Sequence, residues 1–157
     1  MVASITRIIW YVEAPRADIY RALLDARAVT NWMVPAGMTG HVHEFDAREG
    51  GRFRVSLTYA SPTGTGKPTM HTDTYLGRFV ELVPDERVEE EMEFETDDPA
   101  MRNEMRVAFT LLDADGGTDV LAVHENALPG VTPADNEAGW RIVLGRLARL
   151  VEGRRKT

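Results

Sequence analysis

The 157-residue sequence contains no cysteine. Disulfides, thiolate zinc sites and cysteine nucleophiles are therefore excluded. Long hydrophobic runs are missing as well. The N-terminal stretch MVASITRIIWYVEAP holds only the apolar run Ile8 to Val12, between Arg7 and Glu13. That is too short for a signal peptide or a membrane span, and a cytoplasmic protein is expected. Basic charge is in deficit, with 18 Lys plus Arg against 25 Asp plus Glu and a net charge of -7. A nucleic-acid binder has a basic footprint and an anionic membrane surface attracts one, so neither partner is expected.

What is present suits one soluble domain. Hydrophobic residues make up 43% and charged residues 27% of the chain, enough at this length to build a core over residues 1–157. The clearest element is the last, TPADNEAGWRIVLGRLARLVEG from Thr132 to Gly153. Thr132 can N-cap, Pro133 takes the first helical position, and Asp135 falls at the third. Trp140, Val143, Leu144, Leu147, Leu150 and Val151 follow at the spacing of one helical face. Arg141, Arg146 and Arg149 share the opposite side, and Gly153 is a natural stop. At 1.5 Å per residue such a helix is about 30 Å long, and its apolar face needs something broad to lie on.

The rest of the chain supplies strands. Ile5 to Val12 is rich in β-branched and aromatic residues and predicts a first strand. Pro15 then opens a helix with Ile19, Ala22 and Leu23 on one face. Asp25 caps a second short helix that carries Val29, Trp32 and Met33 and ends before Pro35. Gly40 to Arg48 alternates and turns at Gly50-Gly51 into Phe53 to Tyr59. After the loop SPTGTGKP (Ser61 to Pro68) come His71 to Val83, stopped by Pro84-Asp85, and Val88 to Glu95, stopped by Asp97-Asp98-Pro99. Met105 to Leu112 and Thr118 to Asn126 form a hairpin through Asp115-Gly116-Gly117. A run of strands followed by a helix predicts an α+β domain, with the helix closing the concave face of a twisted antiparallel sheet.

Several stretches match one family. They are Ala14-Pro15, Trp32 with Pro35, Asp46-x-Arg48-x-Gly50-Gly51, Gly77, Val83-Pro84 and Glu86-Arg87. Gly116-Gly117-Thr118, His124, Glu125 and Pro129, Asn136, Gly139-Trp140, and Leu144 to Leu147 complete the pattern. The chain resembles the START-like superfamily, in the branch named for heat-shock protein 90 ATPase activator homologues, and the resemblance covers nearly all of it. It implies a helix-grip fold: a curved antiparallel sheet of six or seven strands around the long C-terminal helix, with two short helices after the first strand and a hydrophobic cavity between sheet and helix. A small hydrophobic ligand is the implied partner, without a cofactor. Polyketide cyclases and aromatases belong to the same superfamily, so an enzyme of that kind is the alternative reading. The branch name adds a third, a chaperone partner, although the co-chaperone behind it carries a separate N-terminal domain for which this chain has no room. A homodimer is compatible with the resemblance.

Candidate site residues follow from patterning. Trp32, Phe45, Phe53, Tyr75, Met92, Phe109 and Trp140 supply the volume a core needs, and any cavity must be lined by some of them. Tyr75 would place a hydroxyl among carbon. With Trp140, Val143 forms one cavity wall, while Leu147 to Val151 anchors the helix. His124 is read as a polar group at the junction of cavity and helix, with a structural role ahead of a catalytic one. In the acidic run, Glu89, Glu91, Glu93 and Glu95 fall on an outer strand face, whereas Glu90 falls inward with Val88, Met92 and Phe94, where burial raises a carboxyl pKa. His41 and His43 share a strand face, but two solvent-facing histidines outweigh a metal pair, and no metal is expected. Gly64-Thr65-Gly66-Lys67 is not a phosphate loop, since Ser61 stands where glycine is required and Pro68 where Ser or Thr is. Ser4, Ser56 and Ser61 have no nucleophile-elbow context, so a hydrolase triad has no support.

Overall fold

The computed structural model describes residues 4–34, 37–61, 69–99 and 102–155. The elements in chain order are β1 (Ile5–Val12), α1 (Arg16–Leu23), α2 (Ala26–Trp32), β2 (Thr39–Phe45), β3 (Arg52–Ser61) and β4 (Thr69–Val83). They continue with β5 (Arg87–Phe94), β6 (Met105–Ala114), β7 (Gly117–Glu125) and α3 (Pro133–Arg155). All strand pairs are antiparallel in one seven-stranded sheet of order β1-β7-β6-β5-β4-β3-β2. The architecture is the α+β helix grip. β1 and β2 occupy opposite edges, so α1 and α2 carry the chain across the full width of the sheet. Irregularities between Val42 and Glu44 and between Phe79 and Glu81 add local twist, which favours curling.

The capping signals act as their chemistry requires. The Asp25 carboxylate accepts from the Arg27 and Ala28 amides at 2.9 and 3.4 Å, satisfying two orphan donors of α2. Thr132 Oγ1 accepts from the Asp135 amide at 3.1 Å, starting α3 where expected. Two expectations for α3 need correction. The helix runs past Gly153 to Arg155, because Gly153 keeps a helical backbone instead of a left-handed one. Arg146 is not on the solvent side. It is partly buried, and its guanidinium donates to the Val34 carbonyl, tying α3 to the segment after α2.

Strand ends differ from expectation by a few residues. β2 stops at Phe45 because Asp46 already begins the turn: its amide donates to the Arg52 carbonyl and its carbonyl accepts from Arg48, each at 2.9 Å. Gly50 takes a φ of 80° in this turn, a conformation that favours glycine. Gly77 answers to a different constraint. A Cβ there would lie 2.0 Å from the Glu91 carbonyl oxygen and 2.7 Å from Phe53 Cζ, so glycine lets the Phe53 ring lie across β4. The Ser61 to Pro68 loop falls, beyond Ser61, outside the described residues, as does Pro35.

The outer sheet face explains the acidic run. Glu89 pairs with Arg87 at 2.9 Å, Glu91 with Arg78 at 2.9 Å and with Arg106, and Glu95 with Arg54 at 2.7 Å. These carboxylates are parts of a cross-strand lattice more than a merely solvated face, and exposed pairs of this kind add little to stability. The core lies on the other side. Leu144, Leu147, Ala148 and Val151 of α3 are buried, and α3 packs on β1, α1 and α2. Leu147→Ala is expected to lower stability by about 2–5 kcal/mol in a denaturation curve. A neutral result would mean that α3 is not gripped at this point.

Candidate functional site

The inner sheet face is not filled along its whole width. Between α3, the end of α2 and the segment after β7 lies a cleft with three adjoining parts. The outer part has a volume of about 470 Å³ and is walled by Val131, Gly139, Ile142, Val143 and Arg146, among others. The middle chamber, about 220 Å³, shares Met33, Phe94, Val131, Asn136 and Trp140 with it and adds Leu57, Met105 and His124. The innermost recess, about 20 Å³, shares Met33, Tyr75 and Met92 with the chamber and reaches Trp32, Phe45, Phe53 and Glu90. A shallow depression of about 370 Å³ on the outer face, among Arg52, Arg78, Glu91 and Glu104, belongs to the solvated ion-pair lattice.

Each wall has a local cause. Alternation along β5 turns Val88, Glu90, Met92 and Phe94 inward. Glu90 stands between its cross-strand partners Phe79 and Val107, both fully buried. Protein surrounds its carboxyl, and the exposure it retains is toward the recess. No described residue forms a hydrogen bond or ion pair with it. Burial raises its pKa from 4.5 to about 8. Burial, and then the charge of Glu90, likewise push the Tyr75 phenol above its ordinary value. Trp32 offers the recess no donor, because its indole N–H is given to the Ala22 carbonyl at 3.2 Å.

His124 organises the opposite end. Trp140 Nε1 and Asn136 Nδ2 both donate to its Nδ1, each at 3.0 Å. Asn136 Nδ2 also reaches Thr6 Oγ1 at 2.9 Å, so β1, β7 and α3 meet here. An indole N–H can only donate, hence Nδ1 holds the lone pair and Nε2 holds the proton. Nε2 is shut off from solvent and has no partner among the described residues. Burial keeps the ring's pKa below its ordinary value, and the Trp140 N–H opposes protonation at Nδ1 as well. The arrangement fixes the Trp140 indole as a wall of both the chamber and the outer cleft.

Of the other residues singled out from sequence, Val143 lies in the outer cleft. Phe109 is packed edge-on between Trp32 and Trp140, with ring centroids 6.0 and 5.9 Å away, and belongs to the closed core instead of to these walls. His41 and His43 pack edge to face at 4.6 Å on the outer side, with His43 Nε2 bonded to Ser56 Oγ at 2.7 Å. Among the described residues no group of three His, Asp or Glu side chains is placed to hold a metal.

Sequence reasoning missed Met33, Leu57, Phe94, Met105, Leu128 and Val131 as lining residues. Phe94 was legible from its register with Met92. Leu128 and Val131 were not, since they sit in an irregular segment with no periodicity. Asn126 aims that segment: it adopts a φ of 61°, its carbonyl accepts from Asn103 at 2.7 Å, and its amide side chain donates to the Glu104 carbonyl at 2.8 Å.

Residues 13–152 match the family model described as "Activator of Hsp90 ATPase homolog 1-like protein". The chain belongs to that family. Among solved structures, this member of the activator-homologue family is similar to protein CV1439 from Chromobacterium violaceum, at 32% identity and a TM-score of 0.80, covering 94% of this chain and 96% of that one. It is also similar to DynU16, a protein of the dynemicin biosynthetic locus, at 25% identity and a TM-score of 0.65. That match covers 94% of this chain but 47% of DynU16. A Rhodobacter sphaeroides protein at 19% identity and a TM-score of 0.73, covering 96% of this chain and 98% of that one, shares the fold. No curated protein matches the chain.

Two measurements check the electrostatics of this family member's cavity. Long-range nitrogen–proton NMR spectra are expected to show His124 as the neutral Nε2–H tautomer at pH 6, and Trp140→Phe to move its titration upward; a protonated ring in the parent would contradict the assignment. Glu90 is protonated more readily in the folded state, so its share of stability is complete below about pH 4.5 and is lost as pH rises toward 8. Glu90→Gln should therefore add little at pH 5 and on the order of 1–3 kcal/mol at pH 9, below the full value of about 1.4 kcal/mol per pKa unit because the recess admits solvent. A pH-independent difference in denaturation midpoint would place the carboxyl in water.

Proposed function

We propose that this protein binds a small hydrophobic molecule in the cleft between α3 and the inner sheet face. The observation that carries this reading is the cleft's continuity: carbon-lined spaces of about 470 and 220 Å³ share walls and open beside α3. Pockets that take small organic molecules have this make-up, mostly apolar with a few placed polar groups. Glu90, Tyr75, His124 and Asn136 are those groups here. Trp32, Phe45, Phe53 and Met92 would bound the inner end of the ligand, Trp140 and Val143 its outer end. The family's fold supports a ligand-binding domain of this type.

A cyclase- or aromatase-like activity is the second reading. It is favoured by Glu90, whose pKa of about 8 suits a proton donor near neutral pH, and by the likeness to DynU16 of the dynemicin locus. Extraction and re-incubation of the bound molecule separates the two. An unchanged mass and absorption spectrum supports carriage, and conversion that Glu90→Gln abolishes supports catalysis.

Native mass spectrometry of the protein purified from its own cells is expected to show a noncovalent small-molecule adduct. Gly139 faces open space at the outer cleft. A side chain there also suits a helix better than glycine, by about 0.5 kcal/mol. Gly139→Trp should thus fold normally and reduce ligand affinity by about tenfold or more, roughly 1.4 kcal/mol. A protein that carries no adduct and binds no apolar probe would sink this reading.

A further inference from the structure

The recess at the inner end of the cleft has a more specific chemistry than the apolar chamber. Its walls are side chains of Trp32, Phe45, Phe53, Val55 and Met92, with Glu90 and Tyr75 as its polar groups. Neither polar group is bonded to any described residue, whereas the outward carboxylates Glu89, Glu91 and Glu95 of the same acidic run all have arginine partners. An acid in apolar surroundings without a counter-ion is a costly thing to keep.

Size narrows what can complete it. About 20 Å³ holds one water-sized group and no ring. The adjoining chamber of about 220 Å³ shares Met33, Tyr75 and Met92 with the recess and has space for an aromatic or aliphatic body. Charge narrows it further. Among the described residues no Lys or Arg lines the recess or the chamber, and His124 is held neutral. Arg146, at the outer cleft, is engaged with the Val34 carbonyl, and Asp135 lines the same cleft. The chain carries a net charge of -7, so its field draws cations and not anions toward the opening.

We propose that Glu90 is the anchor for the primary ammonium head of a lipophilic amine, whose apolar body fills the chamber against Phe94, Met105 and Trp140. The proposal rests on the cavity-binding reading above and specifies its ligand class. It carries a linkage. The carboxyl is protonated in the free protein near neutral pH and must ionise to pair with the ammonium, so one proton leaves Glu90 for solvent as the amine binds. Among the described side chains lining the recess from α2, β2, β3, β4 and β5, Tyr75 is the one other titratable group, and it stays protonated throughout.

The experiment is calorimetric titration of the parent protein and Glu90→Gln with three probes: 2-(2-naphthyl)ethylamine, the matching alcohol, and the matching trimethylammonium ion. At pH 8 the primary amine is expected to bind the parent at least about tenfold more tightly than either analogue, the alcohol lacking charge and the trimethylammonium head being too large. Amine affinity should rise by about tenfold for each pH unit as the pH is raised toward 8, and level off above it. Heats in two buffers of different ionisation enthalpy should report close to one proton released at about pH 6.5 and about half a proton at pH 8, a measurement that needs no variant. Glu90→Gln should erase the preference. Equal binding of amine and alcohol, or a preference that survives in Glu90→Gln, overturns this inference while the cavity reading stands. Binding of none of the three overturns both.

Discussion

The structure depends on a mismatch of widths between α3 and the sheet it lies on. Seven strands spaced about 4.8 Å apart form a surface about 29 Å across, whereas a helix with its side chains is about 10–12 Å wide. α3 settles on β1 and against the short helices, α1 reaches β5 and β6, and α2 reaches β2. The inner faces of β3, β4 and β5 opposite the first half of α3 are left partly uncovered, and Leu57, Tyr75, Met92 and Phe94 look into the gap. A wider core could close it only with larger side chains. This chain instead lines the gap with flexible Met33, Met92 and Met105, which adapt to irregular contents.

β5 shows how one strand serves two environments. Its outward glutamates pair with arginines from β4, β6 and β5 itself in a high-dielectric setting, where like charges spaced along the strand are tolerated because opposite charges alternate across it. Glu90 lies one residue from two of them, yet the pleat turns it into carbon. The chemical type is identical and only the side of the sheet differs. Solvation therefore decides between a charged lattice member and a neutral acid.

Much of this was legible beforehand. The strand boundaries of β1, the Asp25 and Thr132 caps, the inward register of Glu90 and the buried stripe of α3 all follow from local rules: alternation, capping chemistry and 3.6-residue periodicity. The errors arose where tertiary contacts overrode a local signal. Gly153 did not stop the helix, because nothing required a left-handed residue there. Arg146 left the polar side because the Val34 carbonyl needed a donor. Phe109 looked like every other inward aromatic, and only the positions of Trp32 and Trp140 decided that it sits in closed core.

The sequence by itself determined the fold class, the family and the face on which each strand residue lies, because these depend on spacing along the chain. Tertiary structure decided which inward residues meet a cavity and which meet each other. That outcome depends on how far a single helix spreads over a curved sheet, a distance no local pattern encodes. It also decided that both donors converge on Nδ1 of His124 and that Glu90 has no partner among the described residues. Those facts join residues far apart in sequence, and they set the chemistry of the cleft.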